Sequence, residues 1–317
     1  MKKIITIGEA MGMFVADDFG TLEEVNSYTR YTAGAEMNVA IGLTRLGFAT
    51  SYVTQFGDDP LGRYVTASMD KEGINTEHVC YTKAANTGIL TKQRVREGDP
   101  LVATYRKGSA ATKLAKAQVT GIDFASYDHI HLAGVFMALS DNTREVSQYF
   151  VDQARAHNVR LTFDPNLRPG LWDSQDQMVS AINHLMVQCE VVLPGLSEGQ
   201  ILTGLQTEQA IAQYYLDKGV QAVIIKLGEA GAYVQTVGQP GTYVPGFVVT
   251  EVIDTVGAGD GFAVGVISAL MDGLSMVQAA ERGCAIGAIQ VTELGDNDGL
   301  PDRDKLSTFM ANTGRSQ

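Results

Sequence analysis

A glycine-rich segment near the C-terminus carries the residue types that phosphate chemistry needs. Its sequence is Asp254-Thr-Val-Gly-Ala-Gly-Asp260, and the apolar run that starts at Gly261-Phe262 predicts a helix directly after it. The small residues Gly257, Ala258 and Gly259 allow backbone N–H groups to converge on an anion, and a helix start adds the positive end of its dipole. An aspartate there could accept a hydroxyl proton while the amides stabilise a phosphoryl group in transfer.

A purely structural interpretation of this segment stays open at this point. Gly-Ala-Gly also suits a tight turn, and Asp260 could simply cap the following helix. The segment is not a Walker A loop, because no Gly-Lys-Ser/Thr follows it, and it lacks the Gly-x-Gly-x-x-Gly spacing of dinucleotide-binding loops. The first predicted strand is followed by Gly8-Glu-Ala-Met-Gly12 instead of that spacing, which argues against a nicotinamide dehydrogenase.

The elements that would position this segment alternate along the chain. Apolar runs predict strands at residues 3–7, 51–56, 129–133, 160–163, 191–193 and 222–226, and a hairpin at 232–252. Helical periodicity predicts helices at residues 38–46, 62–72, 143–157, 176–186, 262–271 and 276–291, and a helical region that ends near 219. Strand–helix alternation predicts an α/β fold with a mostly parallel sheet.

Two stretches in the first third of the chain do not follow that alternation. Residues 12–32 predict strands and turns outside the main sheet, and residues 86–107 predict two strands around the turn Glu97-Gly-Asp-Pro100. Together they predict a small β lid within a single domain that spans residues 1–317. Such a lid would close over a substrate and exclude water. Its Tyr- and Val-rich faces predict a homo-oligomer formed through the lid.

Composition limits the classes of partner. The chain of 317 residues has 24 Lys and Arg against 36 Asp and Glu, and its net charge of −12 argues against nucleic acid. No apolar run approaches the roughly 18 residues of a membrane-spanning helix. The cysteines Cys80, Cys189 and Cys284 have no paired spacing, which indicates a reducing compartment. We therefore expect a cytoplasmic protein with no membrane partner.

Two widely separated segments resemble one family. The glycine-rich segment and its Gly-Phe continuation resemble the C-terminal signature of the PfkB carbohydrate kinases, a ribokinase-like family. Ala33-Gly-Ala-Glu-Met-Asn-Val-Ala40 resembles the N-terminal Gly-Gly-x-x-x-Asn-x-Ala signature, with Ala33 where glycine is commoner, and Gly57-Asp-Asp-Pro-Leu-Gly62 resembles a further family turn. The resemblance implies a ribokinase-like α/β fold, a mostly parallel central sheet flanked by helices with a small β lid. It implies ATP and Mg²⁺ as cofactors and leaves K⁺ open.

Further segments resemble the members of this family that phosphorylate 2-keto-3-deoxygluconate. These segments are Ala33–Asn38, Tyr105–Ala111, Asp164–Trp172, Leu193–Glu198 and Gly295–Gly299. The guanidinium groups of Arg106 and Arg168 could pair with the carboxylate of a sugar acid. Fructokinases share Asp-x-Asn-x-Arg, so a fructokinase or another sugar kinase of the family is the first alternative. A non-catalytic nucleotide- or sugar-binding sensor is the alternative from another class.

The resemblance implies roles for individual residues. Asp260 would be the catalytic base, assisted by Gly257, Ala258, Gly259 and Arg168. The sugar acid would contact Gly34, Ala35, Asn38, Tyr105, Arg106, Arg168, Asp260 and Asp296. The nucleotide would contact Asn166, Lys226, Gly228, Gly231, Gly257, Gly259 and Cys284. The metal would bind at Glu198.

Some of these residues also allow a purely structural interpretation, and the sequence departs from the family pattern at several positions. Without the resemblance, Arg106 could be a surface charge, Glu198 a solvated carboxylate at a helix start and Asp296 a residue that caps its own turn. The chain has Gly195 where many relatives have Asn in Asn-x-x-Glu, and Cys284 where they often have Asn near the nucleotide base. Leu90 stands where an aromatic residue often faces the sugar, which leaves the exact sugar open.

Overall fold

The computed structural model describes residues 1–96, 100–293 and 295–316. Its strands are β1 (Lys3–Ile7), β2 (Met11–Phe19), β3 (Tyr28–Ala33), β4 (Ala49–Gly57), β5 (Val79–Thr82), β6 (Ile89–Arg94), β7 (Val102–Tyr105), β8 (His129–Ala133), β9 (Arg160–Asp164), β10 (Val191–Val192), β11 (Ala222–Lys226), β12 (Ala232–Thr236) and β13 (Thr242–Val244). Its helices are α1 (Ala35–Arg45), α2 (Pro60–Glu72), α3 (Gly134–Met137), α4 (Asp141–His157), α5 (Gln175–Met186), α6 (Leu196–Thr203), α7 (Glu208–Leu216), α8 (Ala258–Met271), α9 (Met276–Gln290) and α10 (Arg303–Asn312).

The main sheet has nine strands in the order β13-β12-β11-β10-β9-β8-β1-β4-β5. All neighbours from β11 to β5 pair in parallel, whereas β12 and β13 add an antiparallel hairpin at one edge. This arrangement confirms the predicted mostly parallel α/β fold. Because parallel strands end at the same edge of a sheet, the residues that follow β1, β9 and β11 lie along one crevice.

Both faces of the main sheet are buried, which explains why its strands read as continuous apolar runs. In β1, Ile4 packs into the core on one face, and Ile5 and Ile7 pack into the core on the other. In the middle of the sheet, His129 and His131 of β8 share a face and both hydrogen bond to the Thr162 hydroxyl, each at 2.9 Å. Burial lowers the pKa of both imidazoles, so the pair is a neutral part of the core.

A second sheet of four strands lies outside the main sheet, in the order β3-β2-β6-β7. β2 pairs antiparallel with β3 and parallel with β6, and β6 pairs antiparallel with β7. Strands were expected here, and the pairing of β6 with β7 confirms the predicted hairpin, although residues 97–99 of its turn lie outside the described residues. Met11, Met13 and Leu90 form a small buried apolar cluster on this sheet.

Local signals explain where several helices begin and end. The Asp59 carboxylate accepts a hydrogen bond from the Gly62 amide at 2.8 Å at the start of α2, and Gly73 ends that helix at φ 82°. The prediction that the first helix begins at Asn38 was wrong, because α1 starts at Ala35, directly after Gly34. Among the helices of the described part, none has the length and apolar character needed to span a membrane.

Candidate active site

Asp260 lies in the first turn of α8, at the floor of a cavity of about 750 Å³. Its side chain is buried, with 9% of the residue exposed. Oδ2 accepts a hydrogen bond from Asn38 Nδ2 at 2.8 Å, and Oδ1 accepts one from Asn166 Nδ2 at 3.4 Å. Two amide groups from distant parts of the chain therefore fix the orientation of this carboxylate.

The surroundings of Asp260 shift its protonation. Burial raises the pKa of the carboxyl group to about 7, and the negative charges of Asp164 and Asp296 act in the same direction. The hydrogen bond from Asn38 and the positive charge of Arg168 oppose this shift. A carboxyl group with a pKa near 7 can take up and release a proton at neutral pH, which suits general base chemistry.

The backbone before Asp260 forms an open cradle at the start of α8. Gly257 has φ 81°, and a Cβ added there would lie 2.2 Å from the backbone oxygen of Asp296. Only glycine fits that position without displacing the backbone. At Gly259 a Cβ would point into open space, with Lys226 Nζ as its nearest neighbour at 3.8 Å. The amides at the N-terminus of this 14-residue helix therefore face space that an anion can enter.

Polar residues at the ends of β9 and β11 line the same cavity. Lys226 Nζ donates to Asp164 Oδ2 at 2.6 Å and lies 3.9 Å from Glu198 Oε2. Although burial lowers the pKa of Lys226, the carboxylates of Asp164 and Glu198 raise it above its ordinary value, so the ammonium stays charged. Asn166 has φ 39°, a conformation that asparagine tolerates, and its buried Oδ1 has no hydrogen-bonding partner in the part of the chain that the structure describes.

Glu198 connects this region to the next helix. Its Oε1 accepts from the Leu167 amide at 2.8 Å, and its Oε2 accepts from the Gly195 amide at 2.7 Å at the start of α6. No cluster of three or more His, Cys, Asp and Glu side chains suited to a metal occurs in residues 1–96, 100–293 and 295–316. Mg²⁺ usually needs only one or two carboxylates besides phosphate oxygens and water, so Glu198 fits that ion.

The opposite end of the cavity contains a buried ion pair. Arg106 Nε donates to Glu9 Oε2 at 2.6 Å, and the Ser109 hydroxyl donates to Glu9 Oε1. Arg106 is 8% exposed and lines the cavity, so it is not a surface charge. Nearby, burial raises the pKa of Glu36 to about 8, and its Oε1 has no partner among the described residues.

Most residues singled out from the sequence meet in this one cavity. Those that line it are Gly34, Ala35, Asn38, Arg106, Asn166, Arg168, Glu198, Lys226, Gly257, Gly259, Asp260 and Asp296. Ala258 lies between two of them at the start of α8. Leu90 of β6, which stands where relatives often have an aromatic residue, is buried and also lines the cavity.

Five of the predicted residues do not line the cavity: Tyr105, Gly228, Gly231, Ala258 and Cys284. Tyr105 is 66% exposed, because side chains alternate along β7 and its neighbours Thr104 and Arg106 face the cavity instead. Gly228 and Gly231 form the turn after β11, at φ 62° and 102°. Cys284 is buried in α9, where burial raises the pKa of its thiol to about 12.

Sequence reasoning gave no role to two charged residues of the site, Glu9 and Lys92. Glu9 follows the first strand, and Arg106, with which it forms an ion pair, lies 97 residues further on. Lys92 is the charged residue of β6 that is buried, and it contacts Asp254 and Asp296. Two signals in the sequence could have indicated these residues: Glu9 is a carboxylate directly after a buried strand, and Lys92 is a lysine at an inward position of a strand.

The sequence and the fold of this chain are similar to those of known proteins. A 2-dehydro-3-deoxygluconokinase from Bacillus subtilis (strain 168) is 45% identical over 308 residues, which cover 97% of this chain and 95% of the relative. The crystal structure of a PfkB protein from Polaromonas sp. JS666 has a TM-score of 0.89 at 43% identity and covers 97% of this chain and 99% of that one. An E. coli protein solved in complex with ATP and Mg²⁺ has a TM-score of 0.90 over 98% of this chain and 99% of its own, and at 24% identity this similarity concerns the fold alone.

The family signature extends over nearly the whole sequence. Residues 1–303 match the family described as pfkB family carbohydrate kinase. The segments that resembled this family in the sequence, around Asn38 and Asp260, are the ones that the fold brings into hydrogen-bonding contact. The chain belongs to the pfkB family of carbohydrate kinases.

Proposed function

We propose that this protein transfers the γ-phosphoryl group of ATP to the terminal hydroxyl of 2-keto-3-deoxygluconate, giving 2-keto-3-deoxy-6-phosphogluconate and ADP. The observation that carries the proposal is the Asp260 carboxylate, which lies beside the open Gly257–Gly259 cradle in a cavity that also holds Arg106 and Arg168. The 45% identity to the 2-dehydro-3-deoxygluconokinase of B. subtilis supports the choice of sugar.

The chemistry follows from these positions. Asp260 takes the proton of the terminal hydroxyl as that oxygen forms its bond to the γ-phosphorus, and the bond between the γ-phosphorus and the leaving oxygen of ADP breaks. The amides of Gly257 to Asp260, with Ala258 and Gly259 between them, stabilise the oxygens of the phosphoryl group. Arg168 adds positive charge beside the same carboxylate. Mg²⁺, when bound, neutralises charge on the phosphates.

We assign the sugar to the end of the cavity beneath the second sheet. Gly34, Ala35 and Asn38 line that end through the turn that begins α1, and Arg106 and Arg168 supply guanidinium groups for the carboxylate. Asp296, which lines the cavity, would hold a sugar hydroxyl. Tyr105 keeps its proposed sugar contact only if the second sheet moves, since its side chain faces outward on β7.

We assign ATP and Mg²⁺ to the end near β9 and β11. Asn166, Lys226 and Glu198 lie beside the cradle, and Glu198 is the residue that would hold the metal. Gly228 and Gly231 form a turn without side chains next to Lys226, which would let the nucleotide approach the backbone. Cys284 is proposed to contact the base region from α9.

The decisive experiment compares Asp260→Asn with the wild type. The variant should keep its fold and its affinity for MgATP, measured by circular dichroism and by calorimetry. Its kcat for sugar-dependent ADP release should fall by about 10²- to 10⁴-fold, because the proton acceptor is gone. Turnover close to that of the wild type would remove Asp260 from the role of base, and wild-type protein that releases no ADP with any sugar would leave a binding sensor instead.

One observation favours a second candidate, a kinase for a neutral ketohexose such as fructose. The charge of Arg106 is already balanced by Glu9, so the guanidinium group is not free for a substrate carboxylate unless that pair opens. Coupled ADP detection against keto-deoxy acids, hexoses and nucleosides distinguishes the two. Arg106→Ala should raise the KM of an acidic sugar far more than that of a neutral one, and equal losses would favour the ketohexose.

We also propose three features of the whole protein that follow from its family and sequence. The second sheet acts as the lid of a single domain, the protein assembles as a homo-oligomer through that sheet, and it works in the cytoplasm. The exposed side chains of Leu101, just before β7, and Tyr105 on β7, at 55% and 66%, support an oligomer. Fractionation of the source cells and a mass measurement in solution test the last two features.

A further inference from the structure

A lysine from the second sheet reaches into the loop that forms the phosphate cradle. Lys92 Nζ donates to Asp254 Oδ2 at 2.6 Å and to Asp296 Oδ1 at 3.4 Å. These contacts join residues 162 and 204 positions apart in the sequence. All three side chains are buried, with 5%, 7% and 8% of each residue exposed.

The two carboxylates hold the backbone around the cradle. Asp254 Oδ1 accepts from the Val256 amide at 3.1 Å, and Asp254 Oδ2 accepts from the Gly295 amide at 3.4 Å. The backbone oxygen of Asp296 packs directly against Gly257. The ammonium group therefore lies where the glycine-rich segment meets the loop before α10, and small movements there would move the amides of the cradle.

The positive charge of Lys92 is needed at this point because two carboxyl groups are buried together. Burial raises the pKa of Asp296, and Lys92 opposes that shift. In the described parts of the chain, no other ammonium or guanidinium group forms an ion pair with Asp254 or Asp296. Without a cation, one or both acids would have to take up a proton or turn towards water.

Stability alone does not explain a buried ion pair of this kind. Replacing a buried pair with apolar residues of similar volume is often neutral for stability, because removing the charges from water offsets their attraction. What the pair supplies is a fixed geometry and a fixed charge. Lys92 also lines the main cavity and a second cavity of about 790 Å³, so it forms part of the wall between them.

We propose that Lys92 is a positioning residue. Its ammonium group supplies the positive charge between Asp254 and Asp296, so that the cradle needs no monovalent metal ion. This inference rests on the proposed kinase function. It also makes the cradle dependent on the second sheet, because the cation is delivered by β6. A sheet that moved away would withdraw the charge and loosen the loop.

The test measures ADP release at constant ionic strength in tetramethylammonium chloride, potassium chloride and ammonium chloride. Wild-type kcat/KM for ATP should be the same in all three salts. In tetramethylammonium chloride, the kcat/KM of Lys92→Met for ATP should be about 10- to 100-fold lower than that of the wild type, because the cradle shifts. Potassium or ammonium should restore this kcat/KM. A merely structural role for Lys92 would not produce such a rescue. Lys2→Met, which removes an exposed lysine paired with Asp128 at 2.8 Å, is the matched control and should behave like the wild type.

Three results would overturn the proposal. They are a wild-type enzyme that requires potassium, a Lys92→Met variant with normal kcat/KM, and a loss that no monovalent cation restores. If Lys92→Met does not fold, the wild-type salt series and Lys92→Arg still decide, because the arginine variant keeps the charge and should stay indifferent to potassium. Melting temperatures of Lys92→Met with MgATP in the same salts should rise with potassium. This measurement needs no sugar, so it separates a failure of this inference from a failure of the proposed function.

Discussion

At the scale of single residues, the site depends on carboxylates held in unusual surroundings. Asp260 is buried between Asn38 and Asn166, and Glu9 is buried against Arg106. Each of these acids has a hydrogen-bonding partner that fixes its position. The substitutions that report on the site are therefore those that change one partner at a time.

The first prediction concerns Asp260 and pH. A carboxyl group whose pKa rises from 3.8 to about 7 on folding binds more protons in the folded than in the unfolded protein between those values. The free energy of unfolding should therefore fall as pH rises through that window, and the contribution is lost above pH 7. Asp260→Asn should remove this fall and be more stable than the wild type above pH 7 by about 1–4 kcal/mol.

Urea denaturation at a series of pH values measures this difference. Asp176→Asn is the matched control, since Asp176 also lies in the first turn of a helix but is exposed. The control should show no such dependence on pH. Parallel stability curves for Asp260→Asn and the wild type would contradict the raised pKa.

The same shift predicts a pH profile for turnover. Because the base must be deprotonated, kcat/KM should fall tenfold for each pH unit below the pKa of Asp260, which is about 7. Initial rates at saturating Mg²⁺, measured about every half pH unit from pH 5 to pH 9, test this profile. A flat profile through that range would mean that Asp260 is already ionised well below neutrality.

A third prediction concerns the buried pair of Arg106 and Glu9. Arg106→Met leaves the Glu9 carboxylate buried and unpaired, so the free energy of unfolding at pH 7 should drop by about 3–5 kcal/mol. The double variant Arg106→Met/Glu9→Gln removes both charges and should recover most of that loss. Urea denaturation of the wild type, both single variants and the double variant measures the coupling, and additive losses would show that the pair is not coupled.

At the scale of elements, much of the fold could be predicted from the sequence. Several central strands of the main sheet are largely apolar, because both faces of that sheet are buried there, and β1, β8 and β11 were confirmed at their predicted bounds. The short strand β5 and the helix α10 were not predicted. β5 is an edge strand of mixed polarity, and α10 buries one of its ten residues, so neither has a strong pattern.

The site was partly predictable for the same reason. The residues of the two signatures follow from short local patterns, whereas the partners of Asp260, Arg106 and Lys92 depend on where distant strands end. Alternation along β7 explains why Arg106 faces inward and Tyr105 does not. The sequence could not show which residues of β7 face inward, because most positions of this strand are exposed and it lacks an apolar pattern.

A fourth prediction tests the loop that begins α8. Gly257→Ala would place a methyl group 2.2 Å from the backbone oxygen of Asp296, at φ 81°. Gly273→Ala has nearly the same φ of 79° but meets no atom within 4 Å, so it measures the cost of the backbone conformation alone, about 1 kcal/mol. Thermal unfolding should show a larger loss for Gly257→Ala than for Gly273→Ala, and equal losses would show that the loop can move aside.

At the scale of the whole molecule, the active site lies between two sheets with different roles. The main sheet provides rigid strand ends for Asp164 and Lys226, and the second sheet brings Arg106 and Lys92 from above. β7 is an edge strand of the second sheet, with Leu101, Val102 and Tyr105 exposed near it. Exposed apolar edge strands tend to pair with another chain.

A fifth prediction follows for assembly. Light scattering should give a mass at least twice the 34.0 kDa of one chain. Leu101→Glu/Tyr105→Glu should lower that mass, because it places two charges at the edge of the second sheet, whereas Val237→Glu, at a valine after β12 that is 53% exposed, should not. A single-chain mass for the wild type at all concentrations would contradict assembly through this strand.

The hydrogen bond between Asn38 and Asp260 spans 222 positions of the chain, and it has a consequence for biosynthesis. A ribosome that has made the first two hundred residues has produced most of the main sheet but none of the amides that would hold a phosphate. The growing polypeptide therefore has no means of capturing or splitting nucleotide until nearly all of it has left the exit tunnel. Competence for phosphoryl transfer therefore depends on α8 and α9, which are made late and pack against α1 and the strands made early.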